Sequence, residues 1–158
     1  MVETMYEIDW GSVSSLELVG IGVEENVYPQ QQYKVTDEVL KNYFTAATEL
    51  FHENNYGDAR DAFTFLTFLN PSYSEFWIGL GLAEQSFEKY ESASVAYQVA
   101  EMLDPKDPII HANLYTCFSE LNQLGLAEQS FHKCVEACGD NPEFSDIKAS
   151  LIQIKENK

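Results

Sequence analysis

Apolar side chains along this chain fall into helical stripes, and the stripes recur at a fixed interval. Ala59, Ala93 and Ala127 are spaced by 34 residues, as are Phe63, Tyr97 and Phe131, and likewise Tyr56, Tyr90 and Leu124. Pro71 and Pro105 share the interval, with Gly139 in the third place and Pro142 just beyond. Within each unit the apolar positions lie three and four apart, the signature of one helix face rather than of an alternating strand. This predicts helices near 37–53, 57–69, 73–86, 90–103, 108–121 and 124–138. A last helix over about 143–156 carries Phe144, Ile147, Leu151 and Ile154. Start signals agree with these bounds. Thr36 precedes the acidic pair Asp37 and Glu38, and Asp107-Pro108 and Asn141-Pro142 each set a capping side chain before a proline.

A period of 34 residues built from two helices is that of the tetratricopeptide repeat (TPR). The expected fold is therefore all-α: three tandem TPR helix pairs over about 37–70, 73–104 and 107–138, a C-terminal capping helix, and an N-terminal helical segment. The second unit fits best, with Trp77, Leu80, Gly81, Tyr90, Ala93, Tyr97, Ala100 and Pro105 at the pattern's apolar, small and turn positions. Tyr43, Ala46, Ala47 and Leu50 take the packing positions in the first unit. His111, Leu114, Tyr115 and Phe118 take them in the third. Inside the stretch FWIGLGLAEQSFEKY, Gly79 and Gly81 each cost a helix about 1 kcal/mol relative to alanine. They are expected to mark a face where another helix packs closely. Stacked repeats leave the last pair with an open apolar side, which the final helix covers.

Residues 1–35 stand apart from the TPR domain expected over 36–158. Val13, Leu16, Val19 and Val23 form a stripe interrupted by glycines, and Tyr28-Pro29 followed by three glutamines reads as a linker. The stripe fits packing on the chain's own repeats and contact with a second copy equally well.

In stacked TPRs the first helix of each pair lines a concave groove. If Trp77, Leu80, Gly81 and Glu84 face the second helix, then Ile78, Leu82 and Gln85 face the groove. One repeat away the corresponding residues are Phe44, Thr48 and Phe51, and Ala112, Thr116 and Ser119. An open row with Phe44, Phe51, Ile78 and Leu82 would suit an extended peptide with spaced apolar anchors. The competing reading is that the N-terminal segment or a second copy covers the row.

Composition narrows the function classes. The 158 residues are enough for one domain with a core, and 45% are hydrophobic. Nine basic against 26 acidic residues leave a formal charge of −17, which repels nucleic-acid phosphates and anionic lipid surfaces. No apolar run reaches membrane-spanning length, and the N-terminus lacks the basic start of a signal peptide. Three cysteines, an odd number, suit a reducing compartment. The expectation is a cytoplasmic protein binding neither nucleic acid nor membrane. Chemistry is sparse. His132, Cys134 and Cys138 lack a fourth ligand and match no standard zinc spacing, so no metal site and no cofactor are expected. His52, His111 and His132 sit in three different helix pairs, and no catalytic constellation forms, so an enzyme is not expected. A clamp for an acidic peptide C-terminus would need Lys and Asn in the groove, where Phe44, Thr48, Ile78 and Leu82 stand instead. A generic TPR scaffold remains open on these residues.

The run from Trp77 to Gln85, the Tyr90, Ala93, Tyr97 series, and Asp104-Pro105-Lys106-Asp107-Pro108 followed by His111 resemble the class II chaperones of bacterial type III secretion systems. These are TPR-type chaperones of hydrophobic translocator proteins, and the resemblance covers about 36–156. It implies three repeats and a groove holding a translocator's N-terminal segment through a Pro-x-Leu-x-x-Pro-type motif, in the bacterial cytoplasm. It further implies pocket-lining aromatics in the first helix pair, where Phe44 and Phe51 stand. Thr48 departs from the family, which often has an aromatic there. Homodimerisation, often through the N-terminal region, is implied as well.

Overall fold

The structure is a computed structural model that describes residues 28–156. The stripe at Val13, Leu16, Val19 and Val23 lies outside the described residues. Among the described residues eight α-helices follow one another: α1 (Pro29–Gln32), α2 (Asp37–His52), α3 (Tyr56–Leu69), α4 (Ser74–Gln85), α5 (Tyr90–Leu103), α6 (Pro108–Glu120), α7 (Leu124–Cys138) and α8 (Ser145–Glu156). A 3₁₀ turn, Pro142–Phe144, leads into α8. No helix among the described residues is long and apolar enough to cross a membrane.

Helices α2 to α7 pack in chain order, each against the next, and α8 closes the far end against α6 and α7. The expected starts hold for physical reasons. Thr36 Oγ1 accepts from the Val39 amide at 3.3 Å, Asp107 Oδ1 from Ile109 at 2.8 Å, and Asn141 Oδ1 from Glu143 at 3.1 Å. Each satisfies an amide that the helix itself leaves unpaired. The turn inside each pair is also periodic. Asn54, Glu88 and Asn122 all take a left-handed backbone, with φ of 62°, 58° and 56°. The amide of the next residue then returns to a carbonyl five residues back, in Asn55, Lys89 and Gln123 alike.

The expected linker at Pro29–Gln32 is instead the short helix α1. Its Gln30 is buried, donates to Asp37 Oδ1 at 2.7 Å, and accepts from the Asn70 amide. That glutamine ties the entry to α2 to the end of α3, which a free linker would not do.

The core divides into two clusters. One gathers Leu40, Phe44, Ala47, Phe51, Ala59, Phe63, Leu66 and Phe76 from α2, α3 and α4. The other gathers Ala93, Tyr97, Ile110, Leu114, Cys117, Phe118, Cys134 and Leu151 from α5 to α8. Leu82 packs against both. The two glycines of α4 sit at this junction, each under an aromatic ring. A Cβ on Gly79 would overlap the Phe63 ring, and one on Gly81 would come within 2.6 Å of Tyr97. The close approach is therefore of rings from two different helices, α3 and α5, and not of one neighbouring backbone.

Candidate functional site: the face of α2, α4 and α6

The expected groove residues occupy three rows, each with one member per repeat. The middle row, Thr48, Leu82 and Thr116, is half-buried in all three repeats. The other two rows are not uniform. Ala112, Gln85 and Ser119 are half-buried, whereas Phe44, Phe51 and Ile78 are buried.

These three buried residues correct the expected facing. Leu40, Phe44, Ala47 and Phe51 form the true packing stripe of α2, while Tyr43 and Ala46, expected inside, are exposed. Phe44 lies edge-on to Phe63, with ring centroids 6.1 Å apart, and tilted against Phe76 at 5.6 Å. Phe51 packs on Tyr56 at 5.1 Å. Gly79 leaves room on α4 for the Phe63 ring, and Phe44 packs beside that ring in the same cluster. Ile78 joins the second cluster through α5 and α6. The face that remains is narrower than expected: Thr48, Leu82, Gln85, Ala112, Thr116 and Ser119.

That face is chemically quiet. Thr48 Oγ1 donates to the Phe44 carbonyl at 2.8 Å, and Thr116 Oγ1 donates to Ala112 at 3.1 Å. Both hydroxyl hydrogens are thus spent on their own helix. Gln85 Oε1 accepts from the Tyr97 hydroxyl at 3.0 Å. At the N-terminal end of α4, burial raises the pKa of Glu75, and the charges of Asp104 and Asp107 raise it further. No arrangement here offers a nucleophile with a base. Among the described residues no cluster of three or more His, Cys, Asp or Glu side chains is placed to hold a metal.

A separate surface pocket is lined by Glu101, Lys106, His111, Lys133 and Glu136 and shares no residue with this face. The sequence did not foretell it, because its members come from α5, α6, α7 and the turn at Pro105. Its charges are largely paired, Lys133 reaching Glu101 at 2.6 Å.

No family model matches the chain. It is similar over 123 residues to the low calcium response locus protein H of Yersinia pseudotuberculosis, with 24% identity, spanning 78% of this chain and 73% of that protein. Its fold matches the CopN–Scc3 complex with a TM-score of 0.76 and 26% identity, over 87% of this chain and 82% of the other. It also matches the Yersinia enterocolitica type III secretion chaperone SycD in complex with a peptide of the translocator YopD. There the TM-score is 0.75 and the identity 23%, over 78% of this chain and 95% of that one. The fold of this chain is that of solved type III secretion chaperones such as SycD. The face just described lies on the first helices of the three pairs, the side that curvature makes concave in a stacked array of helix pairs. A further SycD structure is described as an alternative dimer.

Proposed function

We propose that this chain is a bacterial cytoplasmic chaperone that holds an extended N-terminal segment of a secreted translocator along the face of α2, α4 and α6. It thereby keeps a hydrophobic export substrate soluble. The observation that carries this reading is the row Thr48, Leu82 and Thr116, half-buried in every repeat, with both threonine hydroxyls turned back onto their own helices. A surface of methyl and leucine side chains binds apolar anchors and has nothing with which to transform them. SycD, a relative by fold, is described with a translocator peptide bound, which supports the same class of occupant.

The occupant fits a Pro-x-Leu-x-x-Pro-type segment, whose prolines keep the backbone extended and whose leucine meets Leu82. Each buried aliphatic anchor contributes roughly 1.5–3 kcal/mol. Ordering a disordered segment costs about 2–5 kcal/mol, so the affinity is modest and the cargo can be released. Phe44, Phe51 and Ile78 contribute from beneath, as the packed floor of the face. Self-association into a homodimer is part of the same proposal, supported by the dimeric description of SycD.

The test is co-expression with the secreted proteins of the same bacterium, followed by affinity purification of the chain. A translocator with long apolar segments should co-purify, and Leu82→Glu should lose it while remaining helical. Retention of the partner by Leu82→Glu would place binding elsewhere and overturn the assignment.

A further inference from the structure

Gln85 closes α4 at the edge of the proposed groove, and its amide is used on one side only. Oε1 accepts from the Tyr97 hydroxyl at 3.0 Å. No hydrogen bond from Nε2 forms among the described residues, nor is that nitrogen among the buried polar atoms left without a partner, which are Glu84 Oε2 and His111 Nδ1. The two N–H groups of Gln85 are therefore unspent, on a half-buried side chain whose nitrogen is not fully enclosed. Tyr97, by contrast, is fully buried, and its ring passes across Gly81 so closely that a Cβ there would come within 2.6 Å. Gly81 clears the path by which a side chain of α5 reaches an amide on α4 and fixes which way it points.

We infer that Gln85, oriented by the Tyr97 hydroxyl, donates from Nε2 to a main-chain carbonyl of the segment held in the groove. This rests on the function proposed above and adds to it how the backbone of the cargo is read. An extended segment cannot pair its own carbonyls, and each needs a donor when it leaves water. Leu82 and the threonine methyls can bury side chains but supply no donor. A neutral amide fixed at its oxygen matches a neutral carbonyl acceptor without the desolvation cost of a charge. Tyr97 is then a positioning residue. By donating to Oε1, its hydroxyl holds the amide in the orientation that leaves Nε2 unpaired.

The experiment titrates the full chain with a labelled, acetylated and amidated peptide carrying a Pro-x-Leu-x-x-Pro motif with alanine at x, read by fluorescence anisotropy. Gln85→Glu keeps the acceptor for Tyr97 and replaces the donor, and should weaken binding roughly tenfold or more, the scale of one lost hydrogen bond with the partner carbonyl left unpaired. Tyr97→Phe should weaken it several-fold in the wild-type background and not at all in Gln85→Ala. That coupling would not arise if Tyr97 merely supported the fold. Thermal melts on each variant report folding separately. Unchanged affinity in Gln85→Glu while Leu82→Glu abolishes binding would overturn this inference and leave the groove standing. An equal loss from Tyr97→Phe in both backgrounds would also overturn it. Binding of the peptide by Leu82→Glu as tightly as by wild type would remove the groove itself, and this inference with it.

Discussion

Trp77 and His111 make the same hydrogen bond one repeat apart. The Trp77 indole Nε1 donates to the Pro71 carbonyl at 2.9 Å, and His111 Nε2 lies 2.9 Å from the Pro105 carbonyl. A carbonyl only accepts, so Nε2 carries a hydrogen. Nδ1 is left buried without a hydrogen bond, 3.4 Å from Glu101 Oε1. The histidine thus stands in for a tryptophan, holding the start of α6 to the turn before it.

Two outcomes follow for this pair. Nitrogen NMR of the neutral ring should show the Nε2–H tautomer of His111. His111→Phe should keep the packing but lose the bond to the Pro105 carbonyl, lowering stability by about 1 kcal/mol in urea unfolding. An Nδ1–H tautomer would refute the equivalence with Trp77.

The glycines give a prediction of sign. Gly79→Ala and Gly81→Ala each gain about 1 kcal/mol of helix propensity. Each also drives a methyl into an aromatic ring, Phe63 or Tyr97, that is itself fully buried and has nowhere to retreat. Overpacking of that kind costs typically about 1–3 kcal/mol, and with the overlap this severe we expect a net loss. Gly57 and Gly125 lie in the first turns of α3 and α7 with nothing within 4 Å of an added Cβ. There the same substitution should stabilise by a few tenths of a kcal/mol, up to about 1 kcal/mol. Chemical denaturation of the four variants decides whether ring contact or propensity governs.

The helix pairs were legible because the same residue types recur every 34 positions, and such recurrence survives whatever each helix packs against. Thr36, Asp107 and Asn141 were legible as caps because capping is local chemistry. The rotation of α2 was not. Tyr43, Ala46, Ala47 and Leu50 make a plausible stripe, and so do Leu40, Phe44, Ala47 and Phe51, with Ala47 common to both. Choosing between them requires knowing that Phe63 fills the space over Gly79, a contact between α3 and α4 that no spacing within α2 records. The tie between Tyr97 and Gln85 was hidden for the same reason, although both positions stood out singly.

The corrected rotation changes what substitutions on the face should do. Phe44→Glu sets a carboxylate between Phe63 and Phe76 in a site only 7% exposed, and should prevent folding rather than merely block binding. Thr116→Glu alters a half-buried position whose hydroxyl serves only its own helix, and should fold normally yet bind apolar peptides weakly. Circular dichroism and peptide titration on the two variants separate floor from surface. A folded Phe44→Glu would return that ring to the groove.

The cysteines predict how stability responds to alkali. Burial pushes the Cys117 and Cys134 thiols up from 9.0 to about 12 each, with the neighbouring Cys138 adding to the effect on Cys134. Cys134 Sγ also donates to the Pro108 carbonyl at 3.2 Å, a bond that exists only while the thiol keeps its proton. A raised folded pKa means the native state holds the proton more tightly than the unfolded chain does. The stability so contributed is complete below about pH 9 and is lost progressively as pH rises toward about 12. Urea midpoints for wild type should therefore fall more steeply above pH 9 than those of a Cys117→Ala variant, in which one such group is gone. In the native protein at pH 8 the same thiols should resist iodoacetamide and react only as fast as the chain opens, because the thiolate is the nucleophile. Rapid alkylation of Cys117 without unfolding would show that the core around α6 is wetter than the burial of Cys117 implies.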